Sequence, residues 1–72
     1  PPVRTGIPVV DTDCNKIGKV KGLHKNPETN ELESIEVSYG LMHSKILSKY
    51  DIWGVGEKVI LKMTKEEFKN IE

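Results

Sequence analysis

Few residues in this chain have the types and spacing that could do chemistry. Asp11, Asp13 and Asn15 alternate as oxygen donors in the manner that opens a calcium-binding EF-hand loop. Such a loop needs glycine at its sixth position and a bidentate glutamate at its twelfth. Those positions hold Lys16 and Gly22, so the run reads as a polar hairpin turn. Cys14, His24 and His43 are the remaining metal-ligand types, but their spacing lacks the two close ligand pairs of a zinc motif. No metal site is assigned. As a nucleophile Cys14 would need a basic partner to lower its thiol pKa, and none is evident near it. An exposed, ordinary thiol is expected. Without a coherent acid, base and nucleophile, the chain reads as a non-enzyme with no catalytic residue and no cofactor.

Binding residues are easier to nominate. Lys16, Lys19, Lys21 and Lys25, with His24, form a basic run along one predicted strand. RNA recognition would add interleaved aromatic side chains for base stacking, and this strand has none. A solvated face whose lysines blunt a strand edge is the preferred reading, with contact to an acidic protein or RNA phosphates as the functional alternative. Trp53 is the only tryptophan. Either it anchors a partner, as exposed aromatics do, or it lies beneath a C-terminal helix against Phe68; the internal contact is preferred. Leu41 and Met42 sit in a predicted loop, where an apolar tip is either tucked into the fold or open for association.

Composition narrows the classes. The 72 residues are enough for one domain with a thin core, burying only about 60% of the surface the unfolded chain exposes. Eleven basic and eleven acidic side chains cancel, which argues against a general polyanion binder but not against a local basic stripe. A single cysteine makes no internal disulfide, which favours a reducing, cytoplasmic setting. The longest apolar run is Val59-Ile60-Leu61, so no membrane segment is expected in the chain, and no signal peptide is seen. The chain opens on Pro1-Pro2 rather than Met, which leaves room for a preceding anchor or domain.

The elements that must position these residues are short. Pro1 to Thr5 is a loose lead-in, and a first strand covers Ile7 to Val10, with Pro8 suggesting an edge position or a donor that is not needed. Asp11 to Lys16 turns, with Asn15 expected to take the left-handed conformation. The second strand, Ile17 to Lys25, places Ile17 and Val20 on opposite faces unless a bulge at Gly18 restores them to one; Gly22 marks a second bend. Asn26 to Asn30 turns again. Leu32 to Tyr39 alternates most clearly, with Ile35, Val37 and Tyr39 on one face and Ser34, Glu36 and Ser38 on the other. Gly40 to Lys45 reads as a loop, Ile46 to Tyr50 as a fourth strand, Gly54 to Gly56 as a turn, and Lys58 to Lys62 as a fifth strand covered on both faces. Thr64 to Glu67 fits a capping box, with Met63 and Phe68 at the positions of a hydrophobic staple, so a short helix over about 64–71 is expected.

The runs GIPVVDTDCNKIGKVKGL, NPETNELESIEVSYG and KYDIWGVGEKVIL resemble the PRC-barrel family. That family includes the photosynthetic reaction-centre H subunit, the C-terminal domain of the bacterial ribosome maturation factor, and stand-alone archaeal proteins. The resemblance covers roughly residues 6 to 62. Family turns often carry glycine where this chain has Cys14 and Asn30. The resemblance implies a mainly β fold, a small antiparallel barrel of five to six strands, with the short helix after it. It also implies a non-catalytic adaptor whose partner is a protein, a second copy of the chain included. The alternative is an accessory in RNA metabolism or ribosome assembly that binds ribosomal protein or RNA.

Overall fold

The strict alternation of Leu32–Tyr39 produces the strand on which the fold is laid down. Ile35 and Val37 are fully buried, and Tyr39 packs on the same core, while Ser34, Glu36 and Ser38 face outward. A computed structural model describes residues 2–71 of the chain, so Pro1 of the expected lead-in lies outside the described residues. The elements are β1 (Pro8–Val10), β2 (Lys16–Lys25), β3 (Leu32–Tyr39), β4 (His43–Ser48), a 3-10 turn (Lys49–Asp51), β5 (Ile52–Val55), β6 (Val59–Leu61) and α1 (Lys65–Lys69).

One sheet takes the order β4-β3-β2-β1-β6-β5 and curls into a half-barrel. Its inner face holds Val9, Val20, Ile35, Val37, Leu47, Val59 and Leu61, with Ile7, Ile17 and Phe68 completing the cluster. Two expectations fail here. The barrel is not closed, because β4 and β5 each pair on one side only. Nor is it purely antiparallel, because β1 and β6 run parallel, with Val9 opposite Val59 and Val10 opposite Ile60. Both are three-residue strands, too short to carry any orientation signal in their sequence. Pro8 does not mark an edge either. β1 lies between β2 and β6, and Pro8 is tolerated as its first residue.

Bulges supply the curl. Between β1 and β2 the register skips Ile17, and between β2 and β3 it skips Lys21. Each irregularity stands one residue before the glycine expected to carry it, and Ile17 and Val20 both reach the core. Gly18 has a different task. A Cβ there would overlap the carbonyl oxygen of Ser38, so only glycine lets β2 and β3 approach this closely. The left-handed residue of the first turn is Cys14 (φ 66°), not Asn15, whose side chain and backbone bond to Asp11 instead.

The middle of the chain is more regular than its sequence suggests. The loop after β3 contains only Gly40, Leu41 and Met42, and β4 starts at His43 in unbroken register with β3. Residues 49–51 leave the sheet because Ser48 and Asp51 form a capping box: the Tyr50 N–H donates to Ser48 Oγ at 3.1 Å, and the Ser48 N–H donates to Asp51 Oδ2 at 3.2 Å. The expected turn at 54–56 begins two residues late, because Gly54 and Val55 pair with Ile60 and Val59 to form β5. β6 is shorter than expected, and its Ile60 is half-buried while Val59 and Leu61 are fully covered.

Helix α1 starts where anticipated, with Thr64 as its cap, but ends at Lys69, short of the expected residue 71. The Glu67 N–H donates to Thr64 Oγ1 at 3.1 Å, and the Thr64 N–H donates to Glu67 Oε1 at 2.9 Å. Phe68 is buried and Met63 packs against the same cluster. Five residues do not make a stable helix in isolation, so this one depends on what holds its two ends.

Candidate functional site

Three groups of residues emerge from the fold: a buried clamp, an apolar hairpin tip and an apolar seam. The clamp is Asp11, only 1% exposed. Its Oδ1 accepts the N–H groups of Asp13 at 2.9 Å and Asn15 at 2.7 Å, while Oδ2 accepts the Asn15 side-chain amide at 3.2 Å and the Lys65 N–H at 2.9 Å. Burial alone would raise its pKa, but the donors from Asn15, Lys65 and Asp13 outweigh that and hold the carboxyl below its ordinary value. The parallel pairing of β1 and β6 explains the contact. Residues that follow two parallel strands leave the sheet side by side, and the Thr12 N–H accordingly reaches the Met63 carbonyl at 3.2 Å. The other end of α1 is held by Lys45, whose Nζ donates to the carbonyls of Phe68 at 2.8 Å and Lys69 at 2.9 Å. Its ammonium also lies over the rings of Tyr39 and Phe68. Asp11 and Lys45 therefore do structural work.

The hairpin tip joins β3 to β4. Leu41 is 84% exposed and Met42 97% exposed. Met42 also takes a left-handed backbone (φ 64°), which costs a residue with a Cβ about 1–2 kcal/mol. Three surface grooves meet at Gly40, lined by Lys19, Lys21 and His43, by Lys16 and Lys19, and by Lys65 and Lys69. Of the nominated basic run, Lys16, Lys19 and Lys21 therefore belong to this end of the sheet. Lys25 does not; it lines a separate groove with Val3 and Leu32.

The seam is the stretch that carries the chain from one free edge strand to the other. Ile46 on β4, Tyr50 in the 3-10 turn and Trp53 on β5 are 54%, 74% and 71% exposed. The preferred internal position for Trp53 is thus overturned. The register of β5 on β6 skips Trp53, which turns its side chain out beside Gly54, Gly56 and Ile60. Tyr39 takes the place expected of it, edge-on to Phe68 with ring centroids 5.1 Å apart. The tip and the seam are not brought together, since the grooves beside Met42 and Trp53 share no residue.

The remaining candidates stay apart. Cys14 is exposed at the first turn, His24 sits opposite Ser34, and His43 stacks on Tyr39. Among the described residues no three His, Cys, Asp or Glu side chains converge as metal ligands. Sequence reasoning missed Tyr50 and Ile46. The Ser48-Lys49-Tyr50-Asp51 capping signature was available to find the first, because it places Tyr50 in a turn that leaves the sheet. No protein-family model matches the chain, and no curated protein is similar to it.

Proposed function

We propose that this chain is a non-catalytic protein-interaction module of the PRC-barrel type. The observation that carries the reading is the seam. Two edge strands, each with an unpaired side, are joined by one 3-10 turn, and the segment exposes Ile46, Tyr50 and Trp53 within eight residues. Unpaired backbone offers directional hydrogen bonds to an added strand, and exposed aromatic side chains supply anchoring area. Support for the family type comes from the six-stranded curled sheet with its short helix. The positive φ of Cys14 and Asn30, where family turns often carry glycine, adds to it. The RNA-linked alternative rests on Lys16, Lys19 and Lys21. It is the weaker reading, because the exposed aromatics stand at the seam and not among these lysines.

A tagged pull-down from lysate, with and without ribonuclease, tests the choice. A discrete protein set that survives ribonuclease and is lost with the Tyr50→Ser/Trp53→Ser variant is expected; sedimentation of the purified chain separates a second copy from a different partner. Capture that vanishes with ribonuclease, or with Lys19→Glu/Lys21→Glu but not with the seam variant, would transfer the function to RNA.

A further inference from the structure

We propose that the β3–β4 hairpin tip docks on an anionic lipid bilayer, with Leu41 and Met42 entering the interfacial region and the surrounding lysines meeting the headgroups. This surface is distinct from the seam, and the inference does not depend on the seam's partner.

The tip sets exposed apolar side chains among basic ones, with no described acidic residue lining the grooves between them. Leu41 and Met42 are among the most exposed large apolar side chains of the chain, and Met42 is held on a backbone that favours glycine or asparagine. A polar residue there would suit both the turn and the solvent, so an exposed methionine on this backbone points to a use outside the fold. Around the tip, Lys16, Lys19, Lys21, Lys65, Lys69 and His43 are all exposed. No described Asp or Glu lines any of the three grooves that meet at Gly40. Among the described residues Lys21 has an ion-pair partner in Glu36 at 3.8 Å, which also accepts from the Ser44 hydroxyl, and no other of these cations has one. In a chain of zero net charge, that is a marked segregation of positive charge around an apolar point.

Charge complementarity selects the occupant. A second copy would bring an identical basic ring against this one and be repelled. Single-stranded RNA would need stacking platforms, and the nearest aromatic, Tyr39, is half-buried, stacked on His43 and overlain by the Lys45 ammonium. A bilayer with anionic headgroups answers both features: apolar side chains gain from the acyl boundary, and lysines gain from the negative surface potential. No described helix is long and apolar enough to cross a membrane, and the contact proposed is peripheral.

Vesicle co-sedimentation tests it, using phosphatidylcholine vesicles with and without phosphatidylserine. The chain should bind only the anionic vesicles, more weakly as salt rises. Leu41→Ser/Met42→Ser should weaken binding by about tenfold or more, Lys19→Glu/Lys21→Glu should weaken it too, and Tyr50→Ser/Trp53→Ser should leave it unchanged. Leu41 and Met42 lie outside the core cluster, so the tip variant should keep the wild-type unfolding midpoint. The proposal is overturned if wild type does not bind anionic vesicles, or if the tip variant binds them equally well. It is likewise overturned if the tip variant instead abolishes self-association, or if RNA binds the chain and the charge variant alone removes it.

Discussion

The carboxylate of Asp11 accepts the backbone N–H of Lys65 at 2.9 Å, joining the first hairpin turn to the start of the last helix across 54 positions of sequence. The same oxygen accepts the Asn15 side-chain amide, and its partner oxygen accepts the N–H groups of Asp13 and Asn15. One buried side chain thus orders a turn and caps a helix.

Asp11→Asn should lower the unfolding midpoint more than the loss of any single cap, because an amide nitrogen would face donors where Oδ2 accepted them. The pH dependence has a definite sign. The folded pKa is depressed below the unfolded value of about 3.9, so the stabilisation is complete above that value and is lost as pH falls through the folded pKa. Urea unfolding of wild type and variant from neutral pH downwards checks both points. An equally steep acid loss in Asp11→Asn would assign the effect to other carboxylates.

Thr64→Ala removes one half of the capping box and should cost about 1 kcal/mol. Thermal unfolding followed by circular dichroism measures it. A midpoint that does not move would mean that Asp11 and Lys45 suffice to hold α1.

Gly18→Ala should destabilise by about 1–3 kcal/mol or more, since the new methyl group overlaps backbone that cannot rotate away. Gly54→Ala is the control: a Cβ there meets nothing within 4 Å, and its effect should stay within about 0.5 kcal/mol. Equal effects of the two, by denaturant titration, would contradict the close approach of β2 to β3.

Met42→Gly should raise stability by up to about 1 kcal/mol, because relief of the left-handed backbone exceeds the added freedom of the unfolded chain. Differential scanning calorimetry gives the direction. A fall in stability would show that Met42 makes a contact that favours the folded state.

What was legible in the sequence was local. The turn at 26–30 follows from Asn26, whose Oδ1 accepts the N–H groups of Glu28 and Thr29. The alternation of β3 and the Thr64 capping box were equally readable, because each is settled by residues within a few positions of one another. β4 was partly missed because His43, Ser44 and Lys45 look like loop residues. They pair because β3 offers them an edge, and Lys45 faces inward because α1 presents two carbonyls there. The position of Trp53 was misjudged because it depended on where α1 settles: Phe68 joins the core beside Tyr39, and Trp53 is left in solvent.

By itself, then, the sequence determined the turns that follow β1 and β2, which face of β3 is apolar, and where the last helix begins. Those outcomes rest on stereochemistry and hydrogen bonds between near neighbours. Tertiary structure alone decided that β1 and β6 lie parallel, that the sheet stops short of closing, and that Asp11 meets Lys65. Several short apolar strands are nearly interchangeable as partners, and only the simultaneous packing of all of them around one core selects which edges meet and which stay open.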